Sequence, residues 1–287
     1  MILVAGATGY LGSEICRLLS ERGQRVRALV RQSSNSEKIE RLRALGVDFA
    51  LGDLKDPRSL DAACHDVDTV ISTASVTLSR QPDDSIQRVD NEGQIALVDA
   101  AVSNGVERYL YVSFSGNLDL ECALNSAKRT VERAVRNSGM TYTILRPSFF
   151  VEIWLSPALG FDVEHGKARI FGTGDQRMSW ISLADVARFT VECVDHPAAE
   201  NAVFELGGEA ISPNELIAEV ERRTGKSMDV ERVPAEALHA QRAQAKDAME
   251  HSFATLMLGY AQGDEVDLGP ARQLHVPIRS AREFIAR

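Results

Sequence analysis

The sequence predicts an α/β fold: a doubly wound parallel sheet followed by a smaller, mostly helical C-terminal region. Three observations predict it. Short β-rich runs alternate with helical patterns through the first half of the chain, the arrangement of strands joined by crossover helices in a sheet covered on both faces. A glycine-spaced loop, Gly6-Ala7-Thr8-Gly9-Tyr10-Leu11-Gly12, joins the first strand run to the first helical run. The alternation loosens after Pro147. Right-handed crossovers make the doubly wound order the main candidate, with ligands at the carboxyl ends of the strands.

The elements follow in order. Residues 2–5 read as the first strand, and Leu11, Ile15, Leu18 and Leu19 form one apolar helix face that Gly23 ends. Residues 25–30 are the second strand, and a helix over 39–45 stops at Gly46. Residues 47–51 are the third strand, and Asp56-Pro57 opens a helix with proline at its first position. Residues 67–72 are the fourth strand. A helix over 86–103 carries Val89, Ile95, Val98 and Val102, with Gly105 after it. Residues 109–112 are the fifth strand, 123–137 a helix ended by Gly139, and 142–145 the sixth strand. Further on, 168–171 and 178–181 read as short strands around Gly172-Thr173-Gly174, and Ser182 with Asp185 resembles a capping box for a helix to about 194. Residues 202–206 are a strand, and Ser212-Pro213-Asn214-Glu215 caps a helix that Gly225 ends. Helical stretches over 234–247, 249–261 and 279–286 complete the chain. Residues 262–270 are expected to form a surface loop, and the mixed charges of 231–250 a solvated helical face. These patterns place a nucleotide-binding domain at 1–150 and a substrate region at 151–287, with 178–206 returning to the first domain's core.

Composition narrows the classes. The 287 residues are 44% hydrophobic and 25% charged with a net charge of -9, an ordinary globular balance. No lysine/arginine cluster stands free of acidic neighbours, so a nucleic-acid partner is not expected. No apolar run approaches the ~20 residues of a membrane span. No signal peptide fits, and four widely spaced cysteines suit reduced thiols, so a cytoplasmic protein is expected. The histidines show no metal-ligand spacing, and no metal is expected. Thr224-Gly225-Lys226-Ser227 lacks the earlier glycine of a triphosphate loop, which would fall at Val220.

In the glycine loop, Gly6 permits the tight turn, Gly9 the approach of a pyrophosphate, and Gly12 the close packing of helix on strand. The helix N-terminus adds positive potential for phosphates. The loop's context, after a strand and before a helix, makes residues 6–12 a dinucleotide site, with Thr8, Tyr10 and Leu11 beside the ligand. An acid at the end of the second strand would favour NAD(H). Arg31 stands there instead, followed by Gln32, Ser33 and Ser34. A guanidinium clamps a 2′-phosphate through two N–H bonds, so NADP(H) is expected over NAD(H).

The spacing Gly-x-x-Gly-x-x-Gly resembles the extended and atypical short-chain dehydrogenase/reductases, which share the Rossmann sheet. The resemblance covers nearly the whole chain. It includes Leu29-Val30-Arg31, Gly52-Asp53-Leu54, Val89-Asp90 with Gly93, Tyr111-Val112-Ser113 and Leu145-Arg146-Pro147. In such enzymes a Tyr-x-x-x-Lys pair on the fifth helix does the acid–base chemistry. Here Leu124 stands four residues before Lys128, and none of the five tyrosines has a lysine four residues later. Lys128 without that tyrosine resembles the NmrA-like group of NAD(P)H-binding proteins, which includes quinone reductases, isoflavone-reductase-like enzymes and redox-sensing regulators. Residues 180–185 and Phe204-Glu205-Leu206-Gly207-Gly208 match that group as well.

The resemblance implies site roles. Asp53 and Leu54 would flank the adenine, and Thr73, Ala74 and Ser75 would pass under the middle of the cofactor. Lys128 would bind the nicotinamide ribose and act as the catalytic cation, with Ser113 at the end of the fifth strand. Pro147, Ser148 and Phe150 would contact the nicotinamide. Ser115, Phe149 and Trp154 would wall an apolar acceptor pocket. Hydride transfer to a ketone builds an alkoxide that needs a proton donor, whereas a quinone yields a stabilised, weakly basic anion. A quinone-like or conjugated small-molecule acceptor is therefore expected. The missing tyrosine also leaves open a non-catalytic NADP(H) sensor with a protein partner, or an assembly scaffold on the same fold.

Overall fold

A computed structural model describes residues 1–77 and 81–285 of the chain. The elements of its first half are β1 (Ile2–Ala5), α1 (Tyr10–Glu21), β2 (Val26–Val30), α2 (Ser36–Ala44), β3 (Asp48–Leu51), α3 (Pro57–Cys64), β4 (Thr69–Ser72), α4 (Gln94–Ser103), β5 (Arg108–Val112), α5 (Ala123–Asn137) and β6 (Thr141–Pro147). Then come α6 (Val151–Trp154), β7 (Phe161–Asp162), β8 (Lys167–Phe171), β9 (Met178–Ser179), α7 (Leu183–Glu192), β10 (Ala202–Leu206), β11 (Ala210–Ile211), α8 (Pro213–Thr224), β12 (Asp229–Val233), α9 (Ala235–Ala243), α10 (Ala248–Gln262) and α11 (Ala281–Phe284). They divide between two compact units. The first comprises 1–113, 126–145 and 186–204; the second comprises 114–125, 146–185 and 205–287.

The first unit is built on a seven-stranded sheet of order β10-β6-β5-β4-β1-β2-β3. The registers from β3 through β6 are parallel throughout. The chain winds outward from β1 to β3 on one side and from β4 to β6 on the other, so β1 and β4 border the switch point. The β1 and β4 strands are buried along their whole length, as central strands of a twice-covered parallel sheet are. Local chemistry starts the helices. Asn35 accepts the Lys38 N–H at α2, and Asp56 accepts the Arg58 N–H at α3 with Pro57 at the first position.

The second unit has its own core. Phe149, Phe161, Ile170, Trp180, Leu216 and Leu238 are buried there. A three-stranded sheet of order β12-β8-β7 and the pair β11-β9 lie in this unit. Its α8 helix opens with the expected reciprocal capping box between Ser212 and Glu215, and Gly225 closes it in a left-handed conformation.

Four readings change. The helix expected over 86–103 is α-helical only from Gln94; Ile86–Gly93 forms a wider π-helical turn. Gly93 packs there on Leu54, where a Cβ would meet the leucine Cβ at 2.8 Å. Glu231 and Arg232 lie in β12, paired in parallel with β8, and not on a helical face. Alternation in Asp-Val-Glu-Arg-Val suits an edge strand, but only the partner β8 makes it one. The stretch 262–270 is not simply a surface loop, because Asp264 within it is buried. The last expected helix shortens to α11, and residue 286 lies outside the described residues.

Candidate functional site

The glycine loop turns where the sheet's switch point requires it. Gly6 sits at φ +85°, and a Cβ on it would lie 2.6 Å from Thr73 Oγ1 and 2.8 Å from the Ala74 nitrogen. A Cβ on Gly12 would lie 2.2 Å from the Gly6 carbonyl oxygen. Gly9 is the N-cap of α1 and offers no side chain to its N–H groups. These donors and the helix dipole converge on one spot, the arrangement that holds a pyrophosphate. Thr8 is half-buried, Leu11 buried and Tyr10 exposed. The Lys38 ammonium stands over the Tyr10 ring at 5.5 Å.

Residues after β4 are fixed from behind. Thr73 Oγ1 donates to the Ala5 carbonyl at 3.2 Å, Gln94 Nε2 donates to the Ala74 carbonyl at 2.8 Å, and Ser72 Oγ bonds Gln94 Oε1 at 2.7 Å. Ser75 Oγ contacts the Thr77 hydroxyl at 3.3 Å. Gln94 is fully buried and was not distinguished in the sequence from other helix-surface glutamines.

Arg31 is engaged. Its Nη1 donates to Asp84 Oδ2 at 2.9 Å, while Lys55 Nζ donates to Asp84 Oδ1 at 2.6 Å. Burial alone would raise the Asp84 pKa, but the hydrogen bonds from Lys55 and the Gln81 N–H, with Arg31, hold it below the usual carboxylate range. Asp53 Oδ1 accepts the Lys55 N–H at 2.9 Å, and Leu54 is buried. Lys55 and Asp84 are site neighbours that no short motif announced.

Lys128 lies on α5 with its side chain buried. Its Nζ is 3.4 Å from the Val112 carbonyl and 5.1 Å from the Tyr111 ring centre. Burial pushes its pKa down, while Asp90 and Glu132 oppose that shift. Tyr111 does not replace the missing acid: it is fully buried, and desolvation drives its pKa well up. Ser113 is also buried, with its Oγ accepting from Arg129 Nη1 at 3.3 Å.

The other expected site residues belong to the second unit, where the structure ties several to a residue the sequence did not suggest. Ser115 Oγ and Asn117 Nδ2 each donate to Asp264 Oδ1 at 2.9 Å, and Ser148 Oγ donates to Oδ2 at 2.6 Å. Ser115 N–H donates to the Pro147 carbonyl at 2.9 Å, and Phe150 pairs with Ile181. Phe149 is a core residue, edge-on to Trp154 at 4.8 Å. Trp154 is half-buried and stacks on Tyr260 at 5.4 Å. Asp264→Ala would take the acceptor from the buried Ser115 and Ser148 hydroxyls, while the exposed Asn117 keeps its bond to the Glu265 carbonyl. At about 1–3 kcal/mol per unsatisfied buried group, the expected loss is several kcal/mol, read as a lower urea midpoint. A midpoint unchanged from wild type would show that the carboxylate is dispensable.

Among the described residues no cluster of histidine, cysteine, aspartate and glutamate could hold a metal ion, and no helix is long and apolar enough to cross a membrane. The sheet order, the glycine cradle and the uncapped α1 N-terminus define a dinucleotide-binding protein of the Rossmann class. The chain belongs to the NmrA-like family, whose model matches residues 1–273. It is 33% identical over 254 residues to the phenylcoumaran benzylic ether reductase Pyrc5 of Pyrus communis, covering 83% of this chain and 79% of that one. It is 32% identical over 251 residues to the NAD(P)H azoreductase of Xenophilus azovorans, covering 87% and 80%. Its fold matches that of an Escherichia coli NADPH-dependent quinone oxidoreductase solved with NADPH, at a TM-score of 0.80 and 23% identity over 100% of this chain and 99% of the other.

Proposed function

We propose that this protein is an NADPH-dependent reductase that delivers hydride to a quinone-like or conjugated acceptor. The observation that carries the reading is Lys128: a buried cation on the helix that, in tyrosine-dependent relatives of the superfamily, bears the acid, with Leu124 in the tyrosine's place. The reductase names of the two sequence relatives support it. Bound NADPH would supply the hydride. Residues 6–12 would hold its pyrophosphate, Arg31 its 2′-phosphate, and Lys128 its nicotinamide ribose.

Lys128 contributes positive potential where an acceptor gains negative charge. In a buried setting that potential is far stronger than in water. It suits an acceptor whose anion is delocalised, because Leu124, which cannot protonate a strongly basic alkoxide, stands where the tyrosine would be. The protein in excess, loaded with NADPH and mixed with quinones, enones or simple ketones, tests this directly. Oxidation by a quinone or enone above the protein-free rate is expected, with ketones slow. Efficient ketone turnover would overturn the acceptor class, and tight NADPH binding without oxidation by any acceptor would overturn the reductase reading.

Arg31 sets the cofactor preference in this reading. Hydrogen bonds to charged groups contribute roughly 1.5–3 kcal/mol, or about ten- to a hundredfold in affinity. Asp84 already accepts from the guanidinium, so a 2′-phosphate shares it, which puts the expected effect near the lower end. Arg31→Ala is expected to weaken NADPH about tenfold and leave NADH unchanged, by fluorescence titration. Equal loss for both cofactors would remove Arg31 from the 2′-phosphate site.

A further inference from the structure

Asp90 is a buried carboxylate that the loop, the sheet and the proposed hydride transfer leave without a task. It is fully buried on the π-helical turn before α4. π-Helical turns are frequent at functional sites. One carboxylate oxygen, Oδ2, accepts the Val76 N–H at 3.1 Å. The other, Oδ1, is enclosed and has no hydrogen-bond partner among the described residues. A carboxylate is costly to bury in this way unless an opposite charge answers it.

The charged neighbours identify that answer. Asp90 is held through Val76 beyond the end of β4, and Lys128 lies on the Val112 carbonyl at the end of β5. β4 and β5 are paired with Ser72 opposite Tyr111, so the two charges stand at the carboxyl ends of neighbouring strands, where each opposes the shift that burial imposes on the other. Glu132, on the same helix as Lys128, is bonded by Arg129 at 2.7 Å. Arg129 itself repels the Lys128 ammonium. Asp84 adds a smaller repulsion on Asp90, while the Ser75 hydroxyl and the Val76 N–H favour its charged form. The Tyr111 ring of β5 lies under the Lys128 amine, and its buried hydroxyl also lacks a hydrogen-bond partner among the described residues. Burial pushes both Lys128 and Asp90 toward their neutral forms, and each opposes that in the other.

We propose that Asp90 is the positioning residue for Lys128, the counter-ion that keeps its amine charged where solvent cannot. The proposal rests on the reading that the Lys128 charge serves the acceptor's developing anion. Asp90→Asn keeps the shape and removes the charge. The Lys128 amine is followed by NMR of protein labelled at the lysine ε-carbon, its signal assigned by its absence from Lys128→Met. The Asp90→Asn variant is expected to deprotonate Lys128 at least about one pH unit lower than wild type does. The alkaline fall of the single-turnover rate with a quinone should move down by the same amount, with the rate recovering at lower pH. Lys128 titrating at the same pH in both proteins would overturn the proposal.

The two readings fail separately. Wild type that binds NADPH and reduces no acceptor would overturn the reductase reading, while the NMR titration still decides the role of Asp90. If Asp90→Asn does not fold, the reciprocal measurement uses Lys128→Met with labelled aspartate. Loss of the cation should push the Asp90 carboxyl pKa further up, and an unmoved Asp90 would overturn the pairing.

Discussion

Lys128→Met is expected to lower the single-turnover rate of NADPH oxidation about a hundredfold or more, the cost of removing one preorganised stabilising group from a catalytic site. Methionine keeps the apolar stem and removes only the charge, so the α5 packing around a buried side chain is retained. NADPH affinity should fall by only about tenfold, the lower end for one bond from a charged donor, because the pyrophosphate cradle remains. The split between rate and affinity is the informative readout. A variant that loses affinity alone would make Lys128 a ribose anchor with no part in hydride transfer. The pH dependence has a definite sign. Only the ammonium stabilises an anion, and burial lowers the Lys128 pKa from its ordinary 10.5. The wild-type rate should therefore fall as pH rises through a value below 10.5 and stay flat on that limb in Lys128→Met.

Gly12→Ala is expected to abolish cofactor binding. Its Cβ would lie 2.2 Å from the Gly6 carbonyl oxygen and 2.7 Å from the Gly6 carbonyl carbon. Both are backbone atoms, so the clash cannot be relieved by a rotamer change. Overpacking of this kind costs about 1–3 kcal/mol, and α1 can escape it only by moving away from the turn that it must meet. Isothermal titration should show NADPH affinity reduced at least about a hundredfold, with a melting temperature lower by several degrees. Gly105→Ala is the control. Gly105 has φ +70° and open space around its missing Cβ, so alanine there strains the backbone and leaves the cradle intact. It should lower stability and keep NADPH affinity. Wild-type affinity in Gly12→Ala would remove this loop from the cofactor site.

The parts of this protein that read well from sequence are those governed by near neighbours in the chain. The α5 bounds expected at 123–137 are those observed, because an amphipathic run and a following glycine fix them locally. The Ser212–Glu215 box formed as spaced. The glycines at 6, 9 and 12 carried the cradle, since the loop geometry is set by the missing Cβ atoms themselves.

What the sequence left obscure depends on distant partners. Asp84 and Asp264 look like any surface acids in the one-dimensional chain, and Asp90 stands out only as part of a family motif, yet Asp90 and Asp264 are buried and the Asp84 side chain is shielded by its partners. Their burial is decided by what arrives from elsewhere: Arg31 and Lys55 at Asp84, the Val76 N–H at Asp90, and Ser115, Asn117 and Ser148 at Asp264. Phe149 carried the same apolar pattern whether it lined a pocket or packed a core, and burial placed it in the core. By itself, then, the sequence determined the sheet's winding, the glycine cradle and the lysine that stands without its tyrosine, because spacing and backbone freedom are local properties. The tertiary structure decided which carboxylates are charged partners and which serines are already spoken for, because desolvation and pairing act only between groups the fold has brought together.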